Sequence, residues 1–270
     1  MASGDLAGTV SAEQFLPSAV FDGVDDYIDV PHKDRLLGTN LTDGFTFSCW
    51  VKLRSSGEGS AAGSGQVMSK AVLENGFQFT CRQDSGKMQF WIKTTNKLQE
   101  TTAIALNTWV HYLVTVSGAA TALGNLYKNG VLGSTANVNM GQSVALITNT
   151  SAMRIGNGQA QTTTTCDGQI AKVRMWNRIL SAAEITNDYE GKLNTDRLLF
   201  NYELNGNAFD SSQFANDGTT SGAYFTNVDF NNVIADVRAV NLAAVTDKLL
   251  VLPMYGRNGR VSVISANRTA

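Results

Sequence analysis

Four aspartates fall close together near the start of this 270-residue chain: Asp22, Asp25, Asp26 and Asp29. Clustered carboxylates supply the hard oxygen ligands that Ca²⁺ prefers, so Asp22, Asp25 and Asp26 form a candidate calcium site. They also flank Gly23, and carboxylates beside such a turn accept backbone N–H bonds, which is the competing role. A later group, Asp210, Asn216 and Asp217, has the same character. A second chemistry is suggested by Trp50 and Trp91, both at polar-alternating strand positions, and by the amides Asn157 and Gln159 in a loop. Indole faces act as platforms and amides as hydrogen-bonding groups in a shallow sugar-binding basin.

Catalytic groupings are missing. The strand-like segments carry few acids, and Glu184, Asp188 and Glu190 fall together on a predicted helix, where they read as a solvated face. His32 and His111 are the only histidines, and His111, next to Trp109 in a strand pattern, reads as a packed residue. No G-x-S-x-G segment occurs, and no Cys/His pairing has motif support. Cys49, Cys81 and Cys166 lie far apart without a CxxC. The first two fall on apolar strand faces, which predicts buried free thiols and no zinc site. The expectation is a protein without enzymatic activity, with no catalytic residue and no cofactor unless calcium binds.

These side chains need strands to position them. Phe45 to Leu53 alternates strictly, with Phe45, Phe47, Cys49, Val51 and Leu53 on one face and Thr46, Ser48, Trp50 and Lys52 on the other. Further strands are predicted at 19–21, 67–70, 77–81, 88–93 and 107–116, with a small-residue loop over 54–66. Asp22 and Gly23 mark a tight turn between Phe21 and Tyr27, and Asn129-Gly130 between apolar runs marks a hairpin, because both of its turn positions need positive φ. Residues 167–176 read as a strand leading into a helix that Ser181 and Glu184 open as a capping box and Gly191 closes. Hydrophobic content of 43% supports a large core, and charged content of 16% suits short strands joined by polar turns. A net charge of −2 argues against a nucleic-acid partner. No segment predicts membrane insertion, and Met1 to Gly8 does not read as a signal peptide.

Five ordered blocks between residues 19 and 190 carry a family resemblance. They are the opening F-D-G-x-D-D-Y-I-x-V-P from Phe21, W-x-H-Y from Trp109, L-Y-x-N-G-x-L from Leu126, Met153 to Asn157, and the closing G-x-I-x-x-V-R-x-W-N-R-x-L-S-x-x-E-I from Gly168. Together they are similar to the laminin-G-like, concanavalin-like jelly rolls. The resemblance implies an all-β, two-sheet antiparallel jelly-roll sandwich with one short helix. It also implies an acidic pair after the closing glycine turn, which some relatives use for calcium. Here Ala171 and Lys172 stand in its place, which disfavours a cation there. The family's D-S-S…N-D-G-T segment usually precedes the first strand. Here it follows the helix, at Asp210 to Thr219, and either completes the same sandwich or begins a truncated repeat. Completion is expected, because half a sandwich cannot bury its apolar face.

The domain plan expected is an N-terminal arm (1–18), a jelly-roll domain (19–230) and a C-terminal extension (231–270). In the extension Leu250, Leu252, Met254 and Tyr255 form the apolar strand of a hairpin that needs a surface to pack on, and they are candidate assembly residues. The functional expectation is a non-enzymatic binding and display module, a decoration, fibre or tail-associated protein on a phage or virus particle or another extracellular surface. Its partners would be other copies or other structural proteins of the assembly, and glycans. The alternatives are a free glycan-binding lectin and, more remotely, a glycoside hydrolase.

Overall fold

The structure is a computed structural model that describes residues 16–57, 64–72, 75–92, 96–133, 137–141, 143–159 and 164–226. The expected arm up to residue 15 and the whole extension 231–270, with Leu250, Leu252, Met254 and Tyr255, lie outside the described residues. In chain order the strands are β1 (Ser18–Asp22), β2 (Tyr27–Val30), β3 (Phe45–Leu53), β4 (Ser64–Val72), β5 (Asn75–Arg82), β6 (Met88–Ile92), β7 (Asn96–Gln99), β8 (Val110–Val116), β9 (Leu123–Lys128), β10 (Val131–Leu132), β11 (Val138–Asn139), β12 (Met153–Ile155) and β13 (Asp167–Trp176). Helix α1 (Ala182–Tyr189) follows, and β14 (Leu198–Tyr202), β15 (Thr219–Ser221) and β16 (Tyr224–Thr226) close the described chain.

The strands form two antiparallel sheets. The first runs β10-β9-β8-β3-β13-β1-β16, with β11 on β9 and β14 on β13. The second runs β15-β2-β12-β4-β5-β6-β7. The period-2 alternation of β3 sends Phe45 and Phe47 inward, where they meet Phe77 and Phe79 of β5 at ring-centroid distances of 5.6 and 6.0 Å. These residues are fully buried, and burial of each such ring contributes roughly 1.5–3 kcal/mol, which makes this inter-sheet layer the main stabilising element. Cys49, Cys81 and Cys166 are buried free thiols, and burial pushes all three up in pKa.

The Asp22–Asp26 turn departs from the hairpin expected of an Asp-Gly pair. β1 pairs with β13 and β16, whereas β2 pairs with β12 and β15, so the turn carries the chain from one sheet to the other. Strand β4 begins at Ser64, inside the stretch read as loop, because pairing with β5 supplies the order that its small side chains do not. At Asn129 and Gly130 the hairpin forms as expected, with φ values of 50° and 76°.

Segment 198–226 completes the same sandwich. β14 adds to β13, β15 to β2 and β16 to β1. Asp210 staples this segment: Oδ1 accepts from Asn201 and Ser212 N–H, Oδ2 accepts from Asn216 N–H, and Asn216 Nδ2 donates to the Pro31 carbonyl. The late acidic group is thus spent on its own backbone.

Helix α1 packs on the outer face of the first sheet through a second, small core of Leu113, Trp176, Leu180, Ile185 and Leu198. Its capping box is complete, with Ser181 Oγ accepting from Glu184 N–H and Glu184 Oε2 accepting from Ser181 N–H. It ends in a Schellman arrangement, Gly191 N–H to Asp188 O and Lys192 N–H to Asn187 O, with Gly191 at φ 85°.

Candidate functional site

Strand β13 changes partners along its length. Asp167 to Ile170 pair with β1, and Val173 to Trp176 pair with β14. At the change its register against β3 shifts between Ala171 and Arg174, and Lys172 takes a left-handed φ of 48°. This bulge sets the Lys172 side chain beside the end of α1, where a Cβ placed on Gly191 would lie 3.5 Å from Lys172 Nζ. Trp50, opposite Ala171 and His111 in the register, stands on the outer face and stacks on Tyr189 at 5.6 Å and 16°.

Together these residues enclose a pocket of about 240 Å³ lined by Leu16, Trp50, Trp109, Lys172, Tyr189 and the Glu190-Gly191 corner. The indole N–H of Trp50 is buried with no partner among the described residues.

Beneath the pocket lies a polar network. Asp188 is 1% exposed; its Oδ1 accepts from Arg174 Nη1 at 2.7 Å, and its Oδ2 lies 3.0 Å from His111 Nε2. Arg174 also donates to Glu203 Oε1 at 2.7 Å and to Asn201 Oδ1 at 3.0 Å. Burial alone would raise the Asp188 carboxyl, but His111 and Arg174 together hold it below the ordinary carboxylate range. The expectation of a solvated acidic helix face is therefore corrected. Glu184 is half-buried against Arg178, Glu190 is exposed, and Asp188 turns onto the sheet. Polar strand residues at Arg174 and His111 meet it there, and the network anchors the residue before Tyr189.

The four residues expected to share a sugar basin are divided. Trp91 lies on the outer face of the second sheet, opposite in direction to Phe90 and Ile92, with Gln78 and Lys97 as its cross-strand neighbours. Gln159 is on that side too, donating to Asp29 Oδ1 at 3.4 Å. Asn157 is buried, its Oδ1 accepting from Gly158 N–H at 2.6 Å and Thr164 Oγ1 at 3.4 Å. Trp50 stands on the other outer face of the sandwich, because its strand belongs to the other sheet. Strand alternation identifies both indoles as outward, but not that they point in opposite directions. Of the pocket's further residues, Trp109 was legible only as the start of the W-x-H-Y block and Lys172 only as the replacement of an acidic residue, and Tyr189 carried no signal beyond its type.

Carboxylate oxygens of Asp22, Asp25 and Asp26 come within 4.8 Å of one another. Asp22 Oδ1 accepts from Val24 N–H and Asp26 Oδ2 from Asp22 N–H, both at 2.8 Å. The Gly23 carbonyl accepts from Thr165 Oγ1 at 2.6 Å. Burial, then repulsion from Asp22 and Asp25, pushes Asp26 up to about 6 despite the N–H bond it accepts. Ca²⁺ takes six to eight oxygens, and here two of the six carboxylate oxygens accept N–H bonds from the turn itself. Two of its oxygens thus clasp the turn, and the rest of the set is of the hard-oxygen type that a calcium ion takes. Asp26 is also closed off: a Cβ on Gly222 would meet its Oδ1, so this acid faces no open groove.

Two packed antiparallel sheets with this strand order define a jelly-roll β-sandwich. The family model described as the concanavalin A-like lectin/glucanases superfamily matches residues 22–186, more than half of the chain, and the chain belongs to that superfamily. No curated protein matches it. Among solved structures it is similar to a native heptameric SAP-like pentraxin from Limulus polyphemus, at TM-score 0.54 and 13% identity over 77% of this chain and 94% of that one. It is also similar to a protein described as carbohydrate binding from Bacteroides ovatus, at TM-score 0.58 and 14% identity, over 79% of this chain and 60% of that one. At these identities the likeness is one of fold.

Proposed function

We propose that this chain is a non-catalytic glycan-binding module that receives a sugar ring in the Trp50–Tyr189 pocket. The observation that carries the reading is the pocket itself: two indoles and a phenol form its walls, and Lys172 and Glu190 supply polar groups. Aromatic walls with a few placed polar groups suit the apolar face and hydroxyl rim of a pyranose. The Bacteroides ovatus protein with this fold, described as carbohydrate binding, is consistent with the assignment. Turnover is not part of the proposal, because the described strand acids are otherwise engaged: Asp29 with Arg154, Asp167 with Arg54, and Asp22 with its own turn.

The test is a glycan array and calorimetry on the wild-type chain, Trp50→Ala and Trp109→Ala. Binding by the wild type and a loss of about tenfold or more in each variant is expected, since a stacked aromatic contributes about 0.5–1.5 kcal/mol beyond its area. Wild-type binding that both variants retain would move the site elsewhere. Release of reducing sugar from a polysaccharide panel would reverse the non-catalytic reading.

We propose further that residues 19–230 form the binding domain and that 1–18 and 231–270 anchor it to a phage or virus particle or another extracellular surface, through Leu250, Leu252, Met254 and Tyr255. The apolar pattern of Leu249 to Tyr255, followed by the turn-type sequence Gly256 to Arg260, supports this, because a hairpin of that pattern would need a surface to pack on. Deleting 231–270 is expected to leave a folded sandwich that no longer associates. An unfolded product or unchanged association counts against it.

A further inference from the structure

We propose that the pocket selects an acidic sugar, one pyranose ring bearing a carboxylate, and that Lys172 is the residue that selects it. This rests on the reading that the pocket binds glycans and adds the class of glycan.

Three observations carry it. The first is size. At about 240 Å³ the pocket falls below the roughly 300–1,000 Å³ of sites for drug-sized ligands, so it suits one ring rather than a run of them.

The second is charge. On this face Arg174 is matched by Asp188 and Glu203, and Lys192 is matched by Glu190 at 2.7 Å, which also occupies the pocket's carboxylate. Lys172 lines the same pocket and forms no ion pair among the described residues. The C-terminal end of α1 offsets at most about half a charge near Gly191. The Lys172 ammonium at the pocket wall thus stands without a carboxylate partner among the described residues, and a ligand carboxylate is the group that would complete it.

The third is conformation. Left-handed backbone costs a residue with a Cβ about 1–2 kcal/mol, and glycine adopts it freely. The exchange of β1 for β14 accounts for a bulge at this position but not for a lysine in it. The side chain gains from the fold its place beside the C-terminal end of α1, about 0.3–1 kcal/mol, which is less than the cost, and its ammonium stands at the pocket wall. Strain of this kind at a site lining is a pointer to ligand contact.

The experiment is calorimetry on the full chain with matched sugars that differ only in the carboxylate: glucose and glucuronate, galactose and galacturonate, mannose and mannuronate. In at least one pair the uronate is expected to bind about five- to tenfold tighter, between the effect of an exposed ion pair and that of a charge-assisted hydrogen bond. Lys172→Gln is expected to bring that ratio to near one, with the uronate losing about five- to tenfold more affinity than its neutral partner. Raising the salt should erode the preference in the wild type only. Equal binding within every pair, or a preference that survives Lys172→Gln, overturns this inference and leaves the glycan reading standing. Absence of binding to all six sugars overturns this inference, and absence of binding across the glycan array as well overturns both.

Discussion

Replacing Asp188 by Asn is the most demanding test of the physical account of the outer face. The carboxylate is 1% exposed and holds Arg174 through Oδ1 and His111 through Oδ2. Removing one partner of a buried ion pair costs about 3–5 kcal/mol, because the other charge is left uncompensated. Arg174 keeps Glu203, whose side chain is 40% exposed, so the lower end of that range, about 3 kcal/mol, is expected. With a urea m-value of about 2 kcal/mol/M, the midpoint should fall by about 1.5 M at unchanged slope. Tryptophan fluorescence would follow the transition. The pH dependence supplies a second readout. A carboxyl held below its ordinary value stabilises the fold at pH above about 4 and loses that contribution as pH falls through its lower folded value. The variant should therefore lack part of the acid-induced loss that the wild type shows below pH 4. Arg174→Met combined with Asp188→Leu should cost less than the sum of the two single changes. A midpoint shift under 0.5 M (roughly 1 kcal/mol at that m-value) or an additive cycle would falsify the claim that these groups form one buried unit.

Other expectations follow from single residues. Asp26, raised to about 6, favours the fold while protonated; that contribution is complete below about pH 4 and lost as pH rises through 6. Asp26→Asn keeps an oxygen for the Asp22 N–H, so it should stabilise the protein by about 1–3 kcal/mol at pH 7 and by nothing at pH 3.5, as measured by urea titration at both values. Calcium at millimolar concentration, or its removal by EGTA, should leave the melting temperature unchanged; a rise of several degrees that Asp26→Asn abolishes would restore a metal role to the turn. Lys172→Gly should raise stability by about 1 kcal/mol through relief of the left-handed backbone while losing the preference for uronates. A loss of stability there would mean that the lysine serves the fold after all.

What could be read from the chain was set by the range of the interactions involved. The alternation of β3, the Ser181–Glu184 box and the Asn129-Gly130 turn are decided within a few residues, and all three form as the pattern predicts. Asp188 was misread because its partners lie 14 and 77 residues away, on strands whose own pattern marks those positions as polar and outward. A helix laid over that face makes outward and buried the same thing. Trp50 and Trp91 have like periodicity, and only the sheet order separates them. The bulge at Lys172 left no trace, since a non-glycine residue in left-handed backbone is specified by β13 exchanging neighbours rather than by its own type.

The return of β15 and β16 to β2 and β1 bears on synthesis. Ser18 pairs with Thr226, and Asp29 with Thr219, so residues made first wait about 200 positions for their neighbours. On the ribosome, β1 and β2 each present an open hydrogen-bonding border until the last described strands emerge, and such borders invite association between nascent chains. The acidic Asp22–Asp29 stretch lies on that waiting segment, where its repulsion would keep neighbouring copies apart until closure.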